Sequence, residues 1–314
     1  MTTKNFTRAG KLPAMLRQAA ICAAVFLPAG CGGSDTGSPD DGRVALEVKG
    51  GIDVLSRAAD NTWDEGDAIG IFMLDGDTSD ADNRKYTTAA GGKDGSFAPA
   101  ADDQTIYFPT DGAARDFVAY YPYREKLAAG NAYPVDVSDQ AVQADIDLTS
   151  AARVNGKTKN DPAVAFEFRH RLVKLYLTIL PDGTSLTARD LAGMTVTLTR
   201  QHTRATFDAV AGDAVTVDTS TAPADILLLT TADGSRAEGI VLPTGDTEGM
   251  TLLFRLADGS PFTWEVKNAP LSQKFDAGSK YVYTVTLGRT AMNVTSSVTP
   301  WTPGNGSGES GNAE

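Results

Sequence analysis

Two histidines, two cysteines and a scatter of carboxylates are the residues whose chemistry could carry a reaction, and their spacing assembles no recognisable site. His170 falls between Phe168 and Leu172 on one strand face, a setting that suits a hydrogen-bonded core histidine better than a general base, and His202 has no partner set around it. Asp75, Asp77, Asp80 and Asp82 crowd one stretch and could offer oxygens to calcium. The run lacks the glycine and the twelfth-position glutamate of an EF-hand, so a solvated inter-strand loop is expected. Asp64, Glu65 and Asp67 could work as acid and base on a glycoside. They precede a strand in a turn, where acids usually face solvent. Gly91-Gly92-Lys93-Asp94-Gly95 lacks the spacing and the Ser or Thr of a phosphate loop and reads as a turn. No catalytic residue, metal or cofactor is expected, and the chain does not read as an enzyme.

The cysteines point to export. Lys4, Arg8, Lys11 and Arg17 precede an apolar run from Ala19 to Leu27 that is too short to span a bilayer. The run ends in Leu27-Pro28-Ala29-Gly30-Cys31, which resembles a bacterial lipobox, although Pro28 stands where an aliphatic residue is usual. That resemblance implies a signal peptide over 1–30 and a diacylglyceryl group on the thiol of Cys31, with an ordinary cleaved signal peptide as the alternative. The mature chain then has 284 residues, and losing four cations and no acids moves its net charge from −12 to −16. Such a charge repels phosphate backbones, so nucleic acid is not an expected partner. Cys22 lies in the apolar run, so no thiol remains for a disulfide, a zinc site or a nucleophile.

The elements that must position everything else alternate with a period of two. Val44, Leu46, Val48, Ile52 and Val54 share one parity with Glu47, Lys49 and Asp53 between them, which predicts a strand burying one face. Ala68 to Leu74, Thr105 to Phe108 and Asp116 to Tyr121 read as strands, the last two joined across Asp111-Gly112 as a hairpin. Phe166, Phe168, His170 and Leu172 share a face before the apolar set shifts to Val173, Leu175, Leu177 and Ile179, a phase change read as a bulge. Short strands continue through the second half, with Asp233-Gly234 and Asp258-Gly259 as turns and only Leu186 to Ala192 possibly helical. Tyr281 to Leu287 and then Met292, Val294, Ser296 and Val298 close the pattern. The expected class is all-β, with two tandem antiparallel β-sandwich domains after the signal peptide. The expected divisions are a linker at 31–42, domains at 43–160 and 161–303 meeting near the polar stretch Asn155 to Pro162, and a tail at 304–314.

Several segments together resemble a known family. Ser56-Arg57-Ala58 ends the first strand, and Trp63-Asp64-Glu65-Gly66-Asp67-Ala68-Ile69-Gly70-Ile71-Phe72-Met73 follows. Ile106-Tyr107-Phe108-Pro109, Asp116 through Tyr123, Phe168 through Leu175 and the closing Val298-Thr299-Pro300-Trp301 complete the order. Their succession is similar to that of the fimbrillins, the type V pilins of Gram-negative bacteria. The resemblance implies transthyretin-like sandwich domains, a lipid anchor in the outer membrane, and assembly with other fimbrial subunits into a surface fimbria. It also implies that an arginine-specific protease removes the first strand, which assigns the cut to Arg57-Ala58, and that strand exchange follows. Arg43 and Arg84 are poorer cleavage sites, because one spares the strand and the other lies inside the domain.

Met292, Val294, Ser296 and Val298 suit β-strand addition, in which main-chain bonds give affinity and alternate pockets give register. An ordinary last strand fits them equally well. The expected role is a structural or adhesive subunit in shaft, tip or anchor, with a host or bacterial surface receptor as a further partner. A non-polymerising, glycan-binding surface lipoprotein is the alternative and would need exposed faces among Trp63, Trp264 and Trp301. Cys31→Ala should abolish acyl labelling and mislocalise the protein; unchanged incorporation of labelled lipid would remove the anchor assignment.

Overall fold

The computed structural model describes residues 42–52, 62–212 and 214–301. Cys31, Val54, Arg57, Ala58, the signal peptide and the 304–314 tail lie outside these residues. Within them the chain is almost wholly β, as its two-residue periodicity predicts. The strands are β1 (Glu47–Ile52), β2 (Ala68–Asp75), β3 (Thr78–Thr88), β4 (Asp94–Pro99), β5 (Arg115–Tyr121), β6 (Ala132–Asp136), β7 (Thr149–Ala151), β8 (Val154–Lys157), β9 (Ala163–His170) and β10 (Val173–Pro181). They continue as β11 (Thr195–Gln201), β12 (Arg204–Asp208), β13 (Val215–Val217), β14 (Ala224–Leu227), β15 (Leu229–Thr230), β16 (Arg236–Val241), β17 (Thr251–Arg255), β18 (Pro261–Glu265), β19 (Ser279–Leu287) and β20 (Met292–Pro300). A single-turn helix, α1 (Ala188–Leu191), falls where helix was expected.

The first sheet runs β2-β3-β4-β1-β9-β7-β5-β8, and a further β2–β5 pairing closes its first seven strands into a ring. Alternation explains the interior: Leu46 and Val48, Ile69 and Ile71, Phe97, Phe117, and Phe166 and Phe168 all point into one apolar core. The other core gathers β10, β16 and β19 of a sheet ordered β15-β16-β10-β19-β20 with β11, β14 and β17 of one ordered β14-β11-β17-β18. β6 joins it by pairing with β12. The continuous apolar run of β2 now has a cause. Ile69, Ile71 and Met73 fill the first core while Phe72 and Leu74 fill the second, so both faces are buried. β5 does the same with Phe117 and Ala119 against Val118 and Tyr120.

Three local expectations change. Thr105–Phe108 does not form a hairpin with β5; Leu46 N–H donates to Ile106 O and Phe108 N–H to Val44 O, each at 2.9 Å. Burial of Ile106 and Phe108 beside Leu46 in the first core outweighs the local turn. The phase change after His170 is not a bulge. β9 ends there in the first sheet and β10 begins at Val173 in another, so each strand faces a different core. The polar stretch 155–162 holds the end of β8 and the turn into β9, ahead of this change of sheet. The aspartate-rich segment is not a loop either, because Asp75 ends β2 and Asp80 and Asp82 lie on β3, with only a tight turn at Gly76 between them.

Gly234 is the turn residue the fold tolerates least in changed form. Its φ is +71°, and a β-carbon there would stand 1.9 Å from the carbonyl oxygen of Leu191. Gly112 has a similar φ of +82° but nothing nearer than the Lys159 side chain at 3.6 Å. Gly234→Ala should therefore cost well over the roughly 1–2 kcal/mol of left-handed strain alone, and Gly112→Ala no more than that strain. Denaturant titration of both variants gives the comparison; equal losses would show that the Leu191 contact is readily relieved.

Candidate functional site

β1 is a central strand. It runs antiparallel to β4, with Val48 opposite Phe97 and Gly51 opposite Asp94, and parallel to β9 from Glu47 opposite Ala163 to Ile52 opposite Phe168. Just before it, Val44 and Leu46 exchange main-chain bonds with Ile106 and Phe108, and Glu47 N–H donates to Pro162 O. Of the residues expected to form a displaced first strand, Leu46 and Val48 are buried and Val44 and Ile52 half-buried against the same core, while Val54 lies outside the described residues. Burying such side chains contributes about 1.5–3 kcal/mol each.

The middle of this strand is narrow. Gly50 lies opposite Gly95, and a β-carbon on Gly50 would come within 2.9 Å of the Phe97 ring and 3.2 Å of the Phe168 ring. Trp63 closes the same space: its ring meets Phe97, Tyr121 and Phe168 edge-on at 5.0, 5.4 and 5.2 Å, and its Nε1–H donates to Gly50 O at 2.8 Å. Main-chain bonds in both directions with Gly92 fix Trp63 in place. Aromatic rings thus fill the volume that two opposed glycines leave free.

A cleft of about 370 Å³ opens where β1 ends, lined by Ile52, Trp63, Tyr121, His170, Lys174 and Trp301 among others. His170 Nδ1 meets Asp147 Oδ1 at 2.8 Å, and its ring stacks on Trp301 at 3.9 Å with only 6° between the planes. Lys174 pairs with Glu238 at 2.9 Å and donates to Gln143 Oε1. Burial raises the pKa of Asp67, opposed by its bonds from Asp64 N–H and the Tyr121 hydroxyl. The His170–Asp147 and Lys174–Glu238 pairs are each tied, and among the described residues no hydroxyl bonds to His170 as a nucleophile would. Two of the four aspartates that could offer oxygens to calcium are tied as well, since Arg115 bridges Asp75 at 3.3 Å and Asp80 at 2.5 Å.

Met292, Val294, Ser296 and Val298 lie on β20, the outermost strand of its sheet, paired along its length with β19. Their side chains are half-buried, and Met292, Val294 and Val298 pack on the second core. Sequence reasoning found both strands and missed what surrounds the first: Phe97, Phe168 and Trp63. The one available signal was the pair Gly50-Gly51 inside a strand pattern, which marks close approach by a neighbour.

A family model described as fimbrillin-like matches residues 56–301. A Bacteroides uniformis protein, named as a candidate fimbrium subunit, Fim1C, is 56% identical over 308 residues, covering 96% of this chain and 100% of that protein. The crystal structure of a candidate cell adhesion protein from Bacteroides uniformis superposes with a TM-score of 0.77 at 53% identity, covering 84% of this chain and 100% of that one. A candidate cell adhesion protein from Bacteroides ovatus has the same fold, with a TM-score of 0.67 at 24% identity over 82% of this chain and 98% of that one.

Trp63→Phe keeps most of the ring packing but removes the donor to Gly50 O. It should cost about 1–2 kcal/mol, the worth of one buried hydrogen bond with some lost contact area. Equilibrium unfolding measures it, and an unchanged stability would mean that Gly50 O finds another partner.

Proposed function

The chain belongs to the fimbrillin-like family, and from that premise we propose that it is a structural and adhesive subunit of a type V fimbria, without catalytic activity, serving in the shaft, tip or anchor. In this reading it is exported as a lipoprotein, acylated at Cys31, held at the outer membrane, and released for assembly when a protease cuts between Arg57 and Ala58. Its partners are then other fimbrial subunits and a surface receptor. Two β-sandwich domains, 43–160 and 161–303, form part of the same proposal.

The observation that supports it is the place of β1 between β4 and β9. Losing an edge strand would merely shorten a sheet. Losing this one would open the ring, leaving an apolar slot flanked by two unpaired main-chain edges, which is what strand addition requires. A contact in which each chain fills its neighbour's slot is head-to-tail, so it propagates rather than closes. The glycan-binding alternative draws no comparable support: Trp63 and Trp301 are buried, and Trp264 packs edge-on against Tyr283 at 5.5 Å.

Protein from sheared surface fibres should begin at Ala58 on N-terminal sequencing, and Arg57→Ala should stay out of the fibres. An Arg57→Ala protein present in fibres at the normal level would exclude cleavage-gated assembly.

A further inference from the structure

The cleft at the end of β1 carries more negative charge than its own cations balance. Four carboxylates line it, Asp64, Asp67, Asp147 and Glu238, against one lysine, and Lys174 already pairs with Glu238 at 2.9 Å. Asp67 accepts from the Tyr121 hydroxyl at 3.1 Å and from Asp64 N–H at 2.7 Å. The surplus is felt at that hydroxyl: burial first, and then the charges of Asp67, Asp147 and Asp145, push the pKa of Tyr121 up. Two further polar atoms belong to the same place. Thr149 and His170 line the cleft, are only 2% and 6% exposed, and leave Thr149 Oγ1 and His170 Nε2 without a hydrogen-bond partner among the described residues. With Nδ1–H donated to Asp147, the neutral His170 ring presents Nε2 as an acceptor.

We propose that this cleft binds the cationic end of an alkylamine or alkylguanidine, the group that a lysine or arginine side chain carries. Such a group only donates hydrogen bonds, and the carboxylate oxygens, the hydroxyl and the imidazole nitrogen gathered here can all accept them. The rings of Trp63 and Tyr121 add surface that attracts a cation, while half-buried Ile52 and exposed Leu229 suit the methylene stem behind it. A bare metal ion fits less well. Among the described residues no three His, Asp or Glu side chains gather closely enough to ligate one, whereas the donors of an organic cation are spread and reach separate acceptors. Size points the same way, since about 370 Å³ lies near the lower end of the roughly 300–1,000 Å³ of small-ligand sites and suits a single side-chain end.

Titration calorimetry of the purified protein with n-pentylamine, n-pentanol and pentanoate tests charge and stem together. The amine should bind, and the alcohol and the acid should bind about tenfold more weakly or not at all, as a charge-assisted bond to carboxylate implies. An alcohol that binds as tightly as the amine overturns the proposal. An acidic chain draws any cation weakly, so position is tested by substitution. Asp147→Asn should weaken the amine about tenfold, and Asp77→Asn, in the turn between β2 and β3 and outside the cleft lining, should leave it unchanged. Equal losses in the two variants overturn the proposal. Thr149→Val keeps the shape of the side chain and removes a buried hydroxyl without a partner, so the free protein should be at least as stable while its affinity for the amine falls. Undiminished affinity in both Asp147→Asn and Thr149→Val overturns the site. Cadaverine and the capped amino acids N-acetyl-lysine methylamide and N-acetyl-arginine methylamide then separate the sources: tighter binding of a capped amino acid assigns the cation to a partner polypeptide, and tighter binding of cadaverine assigns it to a free amine. If none of these cations binds, the proposal fails.

Discussion

The pairing of β1 on both sides is the constraint on which the rest of the first half depends. A strand taken from the very start of the described chain is laid between β4, which comes after β2 and β3, and β9, more than a hundred residues on. The parallel contact with β9 cannot be made by a local turn, so its formation must meet the closure entropy of a loop of more than a hundred residues. It also completes the ring, because β2 already pairs with both β3 and β5. Leu46 and Val48 stand in the same cluster as Ile71, Phe117 and Phe166, so this strand helps to fill the core that the whole ring encloses.

Much of this was legible in the sequence, and the limits have a physical pattern. Alternation tells which side chains share a face, so β1, β9, β19 and β20 could be read with nearly the right bounds. Alternation does not tell which strand lies next door. Thr105–Phe108 was matched to its sequence neighbour across a good turn and instead lies beside Val44–Leu46. The step from Leu172 to Val173 was visible as a change of phase, but a bulge and a change of sheet give the same one-residue shift. For the slot, the glycines were visible and the rings that fill their space were not, since Phe97, Trp63 and Phe168 come together only in the fold.

The acidic composition also has a local meaning beyond repulsion. Many of the aspartates are turn acceptors. Asp182 takes the N–H groups of Thr184, Ser185 and Leu186, and bonds led by the Ser185 hydroxyl hold its pKa far below the usual carboxylate range. Asp233, bonded first by the Thr231 hydroxyl and then by Ser235 N–H, is held at about 2 beside the crowded Gly234. Such groups stay charged in all but strong acid because the turn itself solvates them. Negative charge in this chain is therefore partly architectural, set in turns beside strand ends where it accepts from main-chain donors.

β9 ties the two ends of the described chain to one strand. Its Phe168 lies against Gly50 in the slot, and two residues further along the same face His170 stacks on Trp301, the residue just after β20. Trp301 is pinned further by its N–H bond to Gly278 O. The first strand and the last are thus held by successive inward side chains of a single strand, and side chains spaced by two on a pleated strand cannot shift independently by much. The contacts at the two ends of the described chain are therefore borne by neighbouring positions of one strand, with β7 paired to it beside both, Ala151 opposite Phe168 and Thr149 opposite His170.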